Sequence, residues 1–152
     1  MSIGHPPASA EGARAASPMV RRLFDDAMAA VVATTLYLEN QGLAEQRRLE
    51  GRDAILFVAE SLRMTTRLME VVAWLLAQRA VEAGEITMEE AVGPRFRLGM
   101  AEDGQEPVQR WRGGEDGFAA LPPRFRELVE GSHGLHARVE RLERLLTGAL
   151  LQ

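Results

Sequence analysis

The chain has 152 residues, enough for one domain around one core, and carries a net charge of -4 with no cysteine. The missing thiols exclude disulfides, cysteine catalysis and Cys-based zinc sites, and the acidic balance argues against general phosphate-backbone binding, which needs a basic face. Hydrophobic residues make up 46% of the chain but aromatics only 5%. Aliphatic side chains, Ala and Met must therefore fill the core, which suits helices better than sheets.

Residues 1–17 are rich in Ala, Pro, Ser and Gly and lack the apolar segment of a secretion signal. They are expected to form a disordered tail. The longest clean apolar stretch, residues 71–77, is far too short to span a bilayer, so a soluble cytoplasmic protein is expected. Ser17 followed by Pro18 reads as an N-cap and first helical position. Val20, Phe24, Ala27, Val31, Thr34 and Leu38 then recur in alternating steps of four and three, with Gly42 where a C-terminal cap would sit. These residues predict helix one over about 18–41.

Helix two is expected over about 53–83, stopped by Gly84, and it carries two apolar stripes. One runs Ile55, Ala59, Leu62, Thr66, Met69, Ala73, Leu76, Ala80 and Ala83; its neighbour runs Phe57, Ser61, Met64, Leu68, Val71 and Leu75. Two stripes imply burial against more than one neighbour. The small residues Ala59, Thr66, Ala73 and Ala80 recur every seven positions, a spacing that lets two helix axes approach closely. At 1.5 Å per residue the helix is roughly 45 Å long, more than a three-helix domain covers, so a second subunit is expected to meet part of it.

Thr87, Met88, Glu89 and Glu90 have capping-box spacing, and Gly93-Pro94 ends that short helix. The segment 94–120 is rich in Gly, Arg, Glu and Asp with little periodicity and is expected to be a long mobile loop. Helix three, about 122–149, opens after Leu121. Its seam is Phe125, Leu128, Ser132, Leu135, Val139, Leu142, Leu146 and Ala149, a coiled-coil-like three-four alternation. There is no strand pattern. The expected fold is all-α, a single domain over 18–150 built as an antiparallel three-helix bundle and assembled as a homodimer.

Glu130, His133, His136 and Glu140 superficially resemble a metal cluster, but carboxylate-bridged bundles need a second Glu-x-x-His set, and the only other histidine is His5. No metal or other cofactor is expected. Gly113-Gly114-Glu115-Asp116 reads as a turn-rich loop rather than a cyclase signature. Arg63 and Arg67 have cyclic-dinucleotide-motif spacing without the accompanying barrel pattern. A stronger constellation is Glu60, Arg63, Arg67, Glu70 and Trp74, which share one face of helix two at three- and four-residue steps. One reading is a salt ladder with Trp74 packed inward. The other is a protein-docking face, since Trp and Arg are enriched at interface hot spots; Arg67→Glu would then spare the fold while abolishing partner capture.

The run from Glu60 to Met69, then Trp74-Leu75-Leu76, Gln78-Arg79-Ala80-Val81 and Gly84-Glu85, resembles the family containing the regulator of CtrA degradation. The likeness covers about 25 residues of helix two and extends to Leu121-Pro122 and the Ser132, Leu135, Arg138-Val139 and Arg141-Leu142 positions of helix three. It implies a dimeric three-helix bundle of alphaproteobacterial origin. It also implies a non-enzymatic adaptor that brings cell-cycle substrates such as the response regulator CtrA to the ClpXP protease, alongside a priming response regulator and a cyclic-di-GMP-binding protein. The adaptor member extends past its last helix in a flexible tail, whereas this sequence closes at Gln152; the cargo is left open. Rival classes are an enzyme or anion-binding protein using Arg63 and Arg67 as a clamp, and a DNA-binding regulator using Arg95, Arg97, Arg110 and Arg112.

Overall fold

The computed structural model describes the backbone of residues 8–98 and 115–150, and the side chains of residues 16–98 and 117–149. In chain order the elements are α1 (Ala8–Glu39), α2 (Gln41–Arg48), α3 (Gly51–Glu82), α4 (Met88–Ala91), a 3-10 turn (Pro94–Phe96), α5 (Glu115–Ala119) and α6 (Pro123–Leu150). No strand occurs among the described residues. No helix among them is long and apolar enough to cross a membrane.

The first helix begins at Ala8, so residues 8–17 are its opening turns rather than part of a tail, and Pro18 lies inside it. Alanines at 8, 10, 13, 15 and 16 favour helix strongly, and a proline removes one backbone donor without ending a helix that packing supports. Residues 1–7 lie outside the described set. Gly42 is not a left-handed cap. The chain breaks at Asn40, whose side-chain amide donates to the Leu36 carbonyl at 2.8 Å, and resumes as α2, where Gly42 is buried.

A Cβ on Gly42 would sit 2.6 Å from the Tyr37 ring and 2.7 Å from the Tyr37 carbonyl oxygen. Close approach of α2 to α1 is what requires glycine there. Gly42→Ala is expected to cost about 1–3 kcal/mol through overpacking, read as a lowered melting temperature by circular dichroism. The Tyr37 hydroxyl ties α2 down by donating to Glu45. Burial, and then that carboxylate, raise the phenol well above the ordinary tyrosine range.

The expected helix two is α3, and it stops at Gly84, with φ +75°. The Glu85 N–H bonds the Ala80 carbonyl and the Gly84 N–H bonds that of Val81, the pairing of a Schellman ending. The Thr87–Glu90 capping box is complete: Glu90 N–H donates to the Thr87 hydroxyl at 3.1 Å, and Thr87 N–H to the Glu90 carboxylate at 2.9 Å.

The three long helices α1, α3 and α6 each pack against the other two. At one end Phe57 of α3 and Phe125 of α6 stack at 4.2 Å between centroids, with Tyr37 6.1 Å from Phe125. Farther along, Arg67 reaches Ser132 and Glu70 reaches His136. Numbers on α3 and α6 rise together, so these helices run parallel. Asp26 meets Arg138, and Arg79 lies over the Phe24 ring, so α1 is antiparallel to both. An all-antiparallel arrangement is thereby corrected, and the long connection acquires a purpose. Two parallel helices cannot be joined by a tight turn and need a long connection between them.

The connection is also anchored, against the expectation of a loop mobile over all of 94–120. Leu98 is buried and its N–H donates to the Glu143 carboxylate at 3.0 Å. On the far side, Phe118 of α5 packs against the core. Residues 99–114, including Arg110 and Arg112, lie outside the described residues.

Candidate protein-docking surfaces

Helix α3 turns its Phe57, Met64, Leu68, Val71 and Leu75 stripe inward. The constellation beside that stripe goes inward with it. Glu60 is 6% exposed, Arg67 8% and Trp74 1%, while Arg63 and Glu70 are half-buried. Glu60 and Arg63 pair at 3.0 Å along the helix. The Arg67 guanidinium donates to the Ser132 hydroxyl at 2.7 Å, and that hydroxyl donates on to the Val129 carbonyl. Glu70 lies 3.9 Å from the His136 imidazole.

The group is thus turned largely inward rather than onto a free docking face: Glu60 and Arg63 pair along α3, Arg67 and Glu70 meet α6, and Trp74 is buried. The cause is steric as much as electrostatic. A Trp on a helix with two neighbours fills the space between them, and the polar side chains around it must then find partners or stay unsatisfied. Trp74 Nε1 and Gln78 Nε2 are buried without a hydrogen-bond acceptor among the described residues.

The surface that α3 does present is the other stripe. Ile55, Leu62, Met69 and Leu76 are 67%, 66%, 60% and 49% exposed. They stand seven residues apart, and the small residues Ala59, Thr66, Ala73 and Ala80 alternate with them. Four large apolar side chains in line on one face form the contiguous kind of patch that marks an interaction site. Arg95 and Arg97, named for a DNA-binding reading, are exposed, and Arg95 stacks over Phe96.

A further feature needs the tertiary fold to appear. Two cavities follow the α1/α6 seam, and Arg63 and Arg67 line neither. Arg22 of α1 joins Arg138 and Arg141 of α6 around one of them. The sequence signals only the α6 half of that group, at three-residue spacing; Arg22 is more than a hundred residues away.

Residues 12–150 match the family model described as a protein of unknown function, DUF1465. The chain belongs to the DUF1465 family. Among solved structures this DUF1465 chain is similar to RcdA from Caulobacter crescentus CB15. The two are 31% identical with a TM-score of 0.62, over 84% of this chain and 91% of that one. The resemblance drawn from helix two therefore holds, and the DUF1465 chain is an RcdA-like protein. A search of curated proteins gives no match.

Proposed function

We propose that this chain is a non-enzymatic, cytoplasmic protein-binding regulator, a homodimeric three-helix bundle that helps present cell-cycle substrates to a ClpXP-type protease. The observation that carries the reading is the likeness to RcdA over most of both chains. The name of that protein's family, regulator of CtrA degradation, points to regulated proteolysis. An adaptor needs no catalytic group; it raises the effective concentration of substrate at the protease by holding both.

The outer stripe of α3 supports the dimer. In a two-fold contact the large residues Ile55, Leu62, Met69 and Leu76 of one copy seat against Ala59, Thr66, Ala73 and Ala80 of the other. Isologous pairing of this kind places one stripe against itself and closes the assembly at two subunits. The small residues allow the α3 axes to come close.

The adaptor role is tested by reconstituted proteolysis. Purified ClpXP, its priming response regulator, the cyclic-di-GMP-binding partner and a CtrA-type substrate are combined with and without this protein. Addition is expected to speed substrate loss severalfold, at a rate that saturates with protein concentration. An unchanged rate would remove the adaptor reading.

A further inference from the structure

The cavity toward the C-terminal end of α6 has a volume of about 520 Å³. Leu23 and Leu142 are buried at its base, while Met19 and Leu145 stand 53% and 69% exposed at its sides. Arg22, Arg138 and Arg141 complete the lining, and no acidic side chain takes part. Arg138 is held across the seam by Asp26 at 3.0 Å, whereas Arg22 and Arg141 enter no ion pair among the described residues. A basic, apolar hollow in a chain of net charge -4 runs against the character of the molecule as a whole.

The seam continues into a second cavity of about 530 Å³, lined in part by the Asp26–Arg138 pair. Gly131, Gly134 and Ala137 of α6 face Ala30 and Thr34 of α1 there, and the two carboxylates in its lining, Asp26 and Glu127, are paired with Arg138 and Arg124. A Cβ on Gly131 or Gly134 would meet nothing within 4 Å, so packing within the protomer does not require glycine at either position. Each glycine nevertheless weakens an exposed helix relative to alanine. Bare backbone of this kind lets another helix come near. From Gly131 to Leu145 the seam is about 21 Å long at helical rise, the span of four turns rather than of a compact anion.

We propose that the α1/α6 groove docks an acidic amphipathic helix of a partner protein. An apolar side chain of that helix enters between Met19 and Leu145, its carboxylates pair with Arg22 and Arg141, and its backbone passes over Gly131 and Gly134. Charge complementarity selects the partner class, and the geometry is that of a helix laid in a groove. The proposal rests on the protein-binding reading above and gives that reading a surface and a partner chemistry.

The test uses the full chain, isotopically labelled, and a synthetic helical peptide of about 14 residues, the length of the groove. Its leucines are set three and four apart and flanked by glutamates; a control peptide carries lysine in place of glutamate. The acidic peptide is expected to bind and to shift the amides of Arg22, Gly134, Arg141 and Leu145. Arg141→Glu, at an exposed position, should keep the melting temperature and weaken binding about tenfold or more. Gly134→Ala should raise the melting temperature yet weaken binding, a split that a merely structural glycine would not produce.

Equal affinity for the lysine peptide, full displacement by inorganic phosphate, or shifts confined to the outer face of α3 would each overturn the proposal. Shifts in these residues that follow protein concentration without peptide would place a second copy in the groove, with the same consequence. The proteolysis assay with the unmodified chain reads the adaptor role separately, so failure of the groove and failure of the adaptor reading are distinguishable.

Discussion

Arg67→Glu is expected to destabilise the protein by about 3–5 kcal/mol, the scale for leaving a buried charge without its partner. Arg67 is 8% exposed and donates to Ser132, itself 1% exposed. A glutamate at 67 has no proton to offer at neutral pH, so it faces the Ser132 oxygen with a second acceptor. It also adds a negative charge on the helix that carries the buried Glu60. Domains of this size are stable by roughly 5–15 kcal/mol in total, so the variant should melt far earlier or fail to fold. Arg67→Met keeps much of the apolar stem and introduces no charge, and should cost considerably less. Thermal circular dichroism of both variants decides the matter. A wild-type melting temperature for Arg67→Glu would return Arg67 to the surface and revive it as a docking residue.

That outcome turns on a distinction the sequence leaves open. Periodicity reveals that α3 has two apolar stripes, and both exist, but it does not say which faces inward. The stripe with Phe57, Met64 and Leu75 went to the interior, and Trp74 beside it went with it, because large side chains fill the gaps between three helices. The stripe with a strict seven-residue alternation of large and small residues stayed outside. Its regularity suits the proposed contact between two copies of one straight helix, which would repeat along the axis, whereas an irregular core tolerates irregular spacing. The Glu60, Arg63, Arg67, Glu70 and Trp74 group was legible as a group, yet its polar character pointed to solvent while its tryptophan pointed to the core, and the tryptophan prevailed.

Helix ends written in local chemistry, the Gly84 stop and the Thr87 capping box, were readable from a few residues. Others were not. Pro18 and Gly42 carry ordinary boundary signals, yet the proline lies inside α1 and the glycine serves a close approach to Tyr37. The parallel run of α3 and α6 has no local signature at all. The groove with Arg22, Arg138 and Arg141 depends on it, since only the fold brings α1 against that part of α6.

The outer stripe of α3 carries the second large effect. Met69 is 60% exposed in the protomer, so Met69→Glu should change protomer stability by no more than about 0.5 kcal/mol. In a two-fold interface each substitution counts twice. Losing the burial of one such side chain costs about 1.5–3 kcal/mol, hence about 3–6 kcal/mol per dimer before any cost of desolvating the carboxylates. At 1.4 kcal/mol per tenfold this weakens dimerisation by roughly a hundred- to ten-thousand-fold.

Light scattering coupled to gel filtration at micromolar concentration, run on the wild-type chain and on Met69→Glu, tests the account most directly. The wild type is expected at twice the 16.7 kDa chain mass and the variant at the chain mass, with its helical circular dichroism unchanged. A wild-type protein that elutes as a monomer, or a Met69→Glu variant that stays dimeric, would contradict the assignment of the α3 outer face as the contact between subunits.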